Sequence, residues 1–170
     1  MSASLGGYAL WKTSRSATSM QAIQDATSWL EGYDKALFTS LNHGWLAEGL
    51  VAGARWQPAR RHAARAIMRS RSQDRIGEAM AYRALAVAAA AGQNRRPADR
   101  YLELAMRSAR ARGAPHEIAV TQLCEAEIRL ARGEAKQAAA LLDVAAATFA
   151  SLAMMWHRNE ADRLRRSFQA

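Results

Sequence analysis

The stretch LAVAAAAGQNRRPADRYLELA, residues 85–105, decides the fold of this 170-residue chain. It opens with a run rich in alanine, breaks at Gly92, restarts at Pro97 and continues with Ala98 and Ala105, seven residues apart. Alanine favours helix, glycine commonly ends a helix, and proline is well tolerated in the first turn of the next one. The stretch therefore predicts two helices joined by a tight turn, with a left-handed C′ residue at the glycine.

The same arrangement recurs on both sides of this stretch. Gly53, Gly92 and Gly133 are 39 and 41 residues apart, and each follows an apolar helical stretch. After each glycine comes a column of small or apolar residues at i, i+4 and i+7: Ala59, Ala63 and Ala66; Ala98, Leu102 and Ala105; Ala138, Leu142 and Ala145. Residues with this spacing share one face of a helix, so we expect these columns at contacts between helices.

Composition agrees with a helical chain, since it has 40 alanines and only 3 prolines and shows none of the alternation typical of strands. The periodicity predicts helices at 19–32, 36–52, 57–71, 74–91, 97–112, 115–132, 135–152 and 156–168. The repeat domain covers 18–170, with units at about 36–72, 74–113 and 115–153 and a C-terminal capping helix at 156–168. Residues 1–17, rich in Ser, Thr and Gly, are an N-terminal arm without an assigned structure, and 19–32 resembles a second helix that lacks its partner.

The small residues, glycine turns and paired alanines resemble the tetratricopeptide repeat in a long variant of about 40 residues. The stretch 77–164, which closes with LLDVAAATFASLAMMWHRNEADRL, is similar to the helical tails of bacterial class III adenylate/guanylate cyclases and of large ATP-binding transcription regulators. This resemblance implies a right-handed superhelical array of antiparallel helix pairs, an α-solenoid. It also implies a scaffold that binds other proteins.

Arrays of this family line a concave face with the first helix of each unit. The tetratricopeptide pattern places these residues on that face: Leu41, Gly44, Glu48, Met80, Arg83, Val87, Thr121 and Ile128. Most of them are apolar or small, which favours a groove for an amphipathic helix or peptide, with Glu48 and Arg83 as its polar contacts. Two alternatives stay open, because an apolar strip of this extent is usually covered: the face buries itself, or it forms a homodimer.

The formal net charge is +9, and the densest basic run is a ridge of Arg61, Arg65 and Arg69 at i, i+4 and i+8. The simplest interpretation of this ridge is a solvated helix face. The functional alternative is association with nucleic acid or an acidic partner through phosphate or carboxylate contacts. A protein or peptide partner remains the first expectation, and nucleic acid the second.

We expect no catalysis, cofactor or metal. The chain lacks a phosphate-binding G-x-x-x-x-G-K-[ST] motif, and Cys124 is its single cysteine. The histidines, for example His43 and His62, lie in different elements and do not share metal-ligand spacing, and His43 is expected to be a packing residue. A single cysteine cannot form an intrachain disulfide, which fits a reducing, cytoplasmic setting. The longest apolar stretch, 84–92, is far shorter than the roughly 20 residues of a membrane helix, so we expect a soluble protein without a membrane contact.

Overall fold

The computed structural model describes residues 2–32, 38–70 and 74–169. These residues form nine α-helices and no strand, which confirms the all-α prediction for this part of the chain. The helices are α1 Ser2–Ser14, α2 Ala17–Gly32, α3 Thr39–Ala52, α4 Trp56–Ser70, α5 Glu78–Ala91, α6 Arg95–Ala111, α7 Pro115–Ala131, α8 Ala135–Ser151 and α9 Met155–Gln169. None of the helices within these ranges has the length and apolar character that a membrane span requires.

The eight predicted helices match α2 to α9, with ends that agree to within four residues. The largest difference is at α5, which begins at Glu78 rather than at 74. Parts of the predicted ranges, at 36–37 and 71–72, lie outside the described residues.

Helix α1 occupies the arm that the sequence left unassigned. It packs against α2, and a Cβ at Gly7 would lie only 3.0 Å from the carbonyl oxygen of Ser19. Ser4, Gly7 and Trp11 are buried at i, i+3 and i+7, so α1 carries a packing stripe of its own. Helix α2, which the sequence left without a partner, therefore has one.

One three-residue turn is repeated at five helix junctions, α3–α4 and every junction from α5 to α9. The second turn residue has a positive φ in each case: Ala54 (54°), Gln93 (57°), Gly113 (58°), Gly133 (77°) and Ala153 (54°). Its amide donates to the carbonyl three residues back, and the next amide donates to the carbonyl five residues back. These are the two hydrogen bonds of a Schellman motif. From Gln93 onward, the positive-φ residues are 20 positions apart.

The predicted role of the repeat glycines is correct at Gly133 and wrong at the other two. Gly53 and Gly92 have φ values of −91° and −84°, and the left-handed residue is the next one, Ala54 or Gln93. The reason is the helix length: α3 and α5 extend to the residue before the glycine, which places the glycine at the C-cap and its neighbour at C′.

Contacts divide the chain into two compact units, Met1–Tyr101 and Leu102–Ala170, and the boundary falls within α6. In the first unit, an apolar core joins α3, α4 and α5 and contains Ala59, Ala63 and Ala66. In the second unit, a core joins α7, α8 and α9 and contains the column Ala138, Leu142 and Ala145. The middle column, Ala98, Leu102 and Ala105, is also buried. The sequence prediction that these columns pack between helices is confirmed for the first and third columns, and the middle column is buried as expected.

Residues 74–77, which precede α5, hold the start of α3. Asp74, which is 6% exposed, accepts hydrogen bonds from the Ser40 amide and the Ser40 hydroxyl, both at 2.7 Å. The same hydroxyl accepts the amide of Gly77 at 3.0 Å. Because Phe38 at the N-cap of α3 makes no side-chain capping bond, Asp74 provides the cap from a distant part of the sequence.

Candidate functional site

The residues predicted to line a concave groove lie on α3, α5 and α7, and none of them is exposed. Gly44, Met80, Arg83, Thr121 and Ile128 are buried, while Leu41, Glu48 and Val87 are half-buried. In the first unit this face is a helix contact, since a Cβ at Gly44 would lie 3.2 Å from both the Gly77 carbonyl oxygen and the Met80 sulfur. In the first unit, this contact therefore favours the alternative in which the face packs within the chain over the open groove.

Glu48, predicted as a polar contact for a partner, is already bound inside the chain. The Tyr8 hydroxyl donates to it at 2.8 Å, and Lys12 forms an ion pair with its other oxygen. Burial alone would raise the pKa of Glu48, but the positive charges of Lys12 and Arg83 outweigh that effect and hold the pKa below its usual value. Glu48 therefore joins α1 to α3 as an ionised, hydrogen-bonded carboxylate.

Aromatic side chains complete the contact between α1 and α3. The Tyr8 ring stacks on Trp45 with centroids 4.7 Å apart, and it also stacks on Trp11 at 5.9 Å. The guanidinium of Arg15 lies 4.2 Å from the centre of a Trp11 ring, a cation–π geometry. Trp11 is 3% exposed, so most of its surface is used to dock α1.

Two openings in the first unit adjoin different faces of α4. The first, which we call the α1–α4 cavity, has a volume of about 870 Å³ and is lined by α1 to α4, by the α1–α2 link and by the α3–α4 turn. The second, the α4–α6 groove, has a volume of about 580 Å³. Its lining residues are Arg60, Ala64, Ile67, Leu85, Ala89, Asn94, Pro97 and Tyr101. Both openings are large enough to receive side chains or a small molecule.

The predicted arginine ridge is not one uniform surface. Arg61 and Arg65 are exposed and Arg69 is half-buried. Arg61 lines the α1–α4 cavity, whereas a guanidinium nitrogen of Arg65 lies 3.9 Å from a carboxylate oxygen of Glu31. The three side chains therefore have different surroundings, and the part of the ridge nearest the cavity is Arg61.

A chain of hydrogen bonds links Glu31, His43 and His62. His43 lies 3.1 Å from a Glu31 oxygen through Nε2 and 3.0 Å from Nδ1 of His62 through its own Nδ1. A carboxylate can only accept, so the proton of His43 belongs on Nε2, and Nδ1 accepts from the Nδ1–H of His62. The sequence prediction that His43 is a packing residue agrees with its 1% exposure, but the contact with His62 was missed.

Both histidines are held in the neutral form. Burial, with the neighbouring His43 and Arg65, lowers the pKa of His62 to about 4. Burial also lowers the pKa of His43, although Glu31 opposes that effect. Within the described residues there is no group of three or more His, Cys, Asp or Glu that could hold a metal ion. The pair is therefore a neutral hydrogen-bonded element, and its protonation is coupled to folding.

Acidification from pH 7 to pH 5 is expected to lower the free energy of unfolding by about 1–2 kcal/mol through these histidines. Because the folded pKa of His62 lies below its unfolded value, the unfolded chain binds more protons between about pH 6.5 and pH 4. The contribution of His62 to the free energy of unfolding is thus fully present above that window and is lost as the pH falls through it. Urea denaturation at each pH measures the effect.

His62→Gln should flatten this pH dependence. The carboxylate of Glu48 does not contribute in this window, because its lowered pKa places its titration below the range tested. An unfolding free energy that is constant between pH 7 and pH 5 would contradict a buried neutral pair.

In the second unit, charged side chains pair with one another. Arg129 donates from Nε to Glu125 at 2.8 Å and from Nη1 to Glu134 at 2.9 Å. The hydrogen bond to Glu125 is the main reason that the pKa of Arg129 is raised, with Glu134 adding to it. Cys124 is buried. The contacts of Arg129 with Glu125 and Glu134 connect α7 to the turn that follows it.

Comparison with models of known protein families, with curated proteins and with solved structures gives no significant match for this chain.

Proposed function

We propose that the chain is a non-catalytic helical-repeat module of the tetratricopeptide kind, a right-handed array of antiparallel helix pairs that holds a helix or peptide of a partner protein. Support for a repeat comes from the turn that recurs at five junctions and from the buried columns that follow the repeated glycines. Each such unit buries its apolar face against neighbouring helices, and stacked units present extended surfaces for binding.

The α4–α6 groove is the observation that carries this proposal. Ala64 and Ile67 of α4, Leu85 and Ala89 of α5, and Tyr101 of α6 give it apolar walls. Tyr101 is held in place by stacking on Tyr82, with ring centroids 6.5 Å apart. An apolar side chain of a bound peptide would lose its contact with water here, and this burial would drive association.

Arg60 adds a polar contact at the same groove. It is exposed and makes no ion pair with any described residue. An arginine in this position can bind a carboxylate that flanks the apolar anchor of a peptide, which would fix the direction of the peptide. We therefore propose that the partner segment carries an apolar residue next to Asp or Glu.

Affinity capture from the source cell, followed by titration of the recovered and purified partner, tests this proposal. Ala64→Glu places a carboxylate in the groove at an exposed helix position and is expected to weaken binding at least about tenfold. Ala140→Glu, at an exposed alanine of α8, is the matched control and should bind like the wild type. Equal affinity of both variants for the partner would exclude the groove.

Association with nucleic acid or an acidic partner through the ridge is the second candidate, and the exposure of Arg61 and Arg65 favours it. Salt separates the two proposals. Binding through phosphates should be lost steeply between about 50 and 200 mM salt and should weaken in Arg61→Gln/Arg65→Gln. Binding in the apolar groove should change little over the same range.

A further inference from the structure

We propose that the α1–α4 cavity binds a small amphipathic anion, a molecule with one carboxylate and an apolar body. The cavity is separate from the α4–α6 groove, because it is lined by Pro58, Arg61 and His62 of α4 rather than by Arg60, Ala64 and Ile67. The inference therefore does not rest on the proposed function.

Apolar side chains from three helices form part of the lining of the cavity. They include Trp11 from α1, Met20 from α2, and Leu46 and Leu50 from α3. Gly49 lies between the two leucines, and a Cβ at this position would overlap the side chain of Met20. The missing side chain thus lets Met20 reach α3. The volume of about 870 Å³ lies within the range of small-molecule sites, so the cavity can receive the apolar body of a small molecule.

Three arginines from different parts of the chain line the same cavity. Arg15 lies in the link between α1 and α2, Arg55 ends the α3–α4 turn, and Arg61 lies on α4. None of the residues that line the cavity is acidic, and none of these three arginines forms an ion pair within the described residues. Positive charges in a concave surface attract an anion, and they repel one another until an anion binds.

The apolar residues and the arginines that line the cavity together indicate the class of ligand. A guanidinium pairs with a carboxylate through two parallel hydrogen bonds, which fits one anionic group at the rim. The apolar walls require the rest of the ligand to be uncharged and apolar. A simple anion would leave the apolar part of the lining exposed to water, and a nucleic acid would need an extended track of charge rather than a single cavity within one unit.

Calorimetric titration with dodecanoate, below the concentration at which it forms micelles, tests the proposal on the full chain. We expect one binding site per chain, with no competition from acetate or dodecyltrimethylammonium. Arg55→Gln/Arg61→Gln should weaken binding about tenfold or more, because two charge-assisted contacts are lost. Arg107→Gln/Arg110→Gln, which removes the same charge from exposed positions of α6, should not.

Gln24→Trp gives a test by shape instead of charge, since Gln24 is exposed and lines the cavity. The indole should fill part of the cavity and block dodecanoate, while circular dichroism shows an unchanged helical fold. The proposal would be overturned if Arg55→Gln/Arg61→Gln bound dodecanoate as tightly as the wild type does. It would also be overturned if the wild type bound dodecyltrimethylammonium as tightly as dodecanoate. Equally tight binding of hexaglutamate would overturn it as well and would assign the cavity to acidic peptides.

Discussion

Gly77→Ala is expected to destabilise the chain by about 4 kcal/mol or more, the largest effect of any single substitution that we predict. A Cβ at this position would overlap the carbonyl group of Ser40 and lie 2.7 Å from the amide nitrogen of Leu41. All these atoms belong to the backbone, so no side-chain rotation can relieve the overlap. The start of α5 would have to move away from the start of α3.

Such a movement would also break the hydrogen bond from the Gly77 amide to Ser40 and disturb the core that α3, α4 and α5 share. Urea denaturation followed by circular dichroism measures the effect. Gly6→Ala is the matched control, because no atom lies within 4 Å of the added methyl group and the residue is inside α1. That control should be neutral or stabilising by about 0.5–1 kcal/mol. A midpoint for Gly77→Ala equal to that of the wild type would show that α3 and α5 do not approach this closely.

Asp74→Ala should have the second largest effect, a loss of about 2–4 kcal/mol in the free energy of unfolding. Asp74 accepts two hydrogen bonds from Ser40, and its carboxylate lies where α3 presents unpaired amides and the positive end of its dipole. Alanine leaves the amide and hydroxyl of Ser40 buried without this acceptor. Asp74→Asn keeps the shape but removes the charge, so it should cost less than alanine.

Asp143→Ala provides the control for the loss of a carboxylate. Asp143 is also ion-paired, with Arg165, but 63% of its side chain is exposed. Exposed ion pairs contribute about 1 kcal/mol or less, so this variant should remain close to the wild type. If Asp74→Ala were no more destabilising than Asp143→Ala, capping of α3 by Asp74 would be excluded.

Most helices could be predicted because the glycine column indicates where helices end and the alanine columns indicate which helix face is packed. A residue that recurs every forty positions marks the same place in each helix pair, and the columns of alanine and leucine after the glycines are buried as expected. Helix α1 could not be predicted as readily, since Ser4 and Gly7 stand where larger apolar residues would mark a stripe. Their small size lets α1 and α2 pack closely. Composition alone does not distinguish small residues at such a helix contact from small residues in a loop.

The candidate site was less predictable, because exposure is a tertiary property. The repeat pattern identified which residues share a face on α3 and α5, but not that Gly44 and Gly77 would bring these helices into close contact. The pairing of His43 with His62 had a signal that was overlooked. His43 lies ten residues before Gly53 and His62 nine after it, so a tight turn there brings the two side chains together.

The equal spacing of the turns has a consequence for how such a gene can change in length. Helices α6, α7 and α8 have 17 residues each and are joined by the same three-residue turn. Duplication of forty codons between equivalent turns would add one helix pair and leave every junction chemically intact. Insertion of a single codon within a helix would instead rotate the following residues by about 100° and turn its alanines away from the core. We therefore expect such a chain to lengthen by whole helix pairs rather than by single residues.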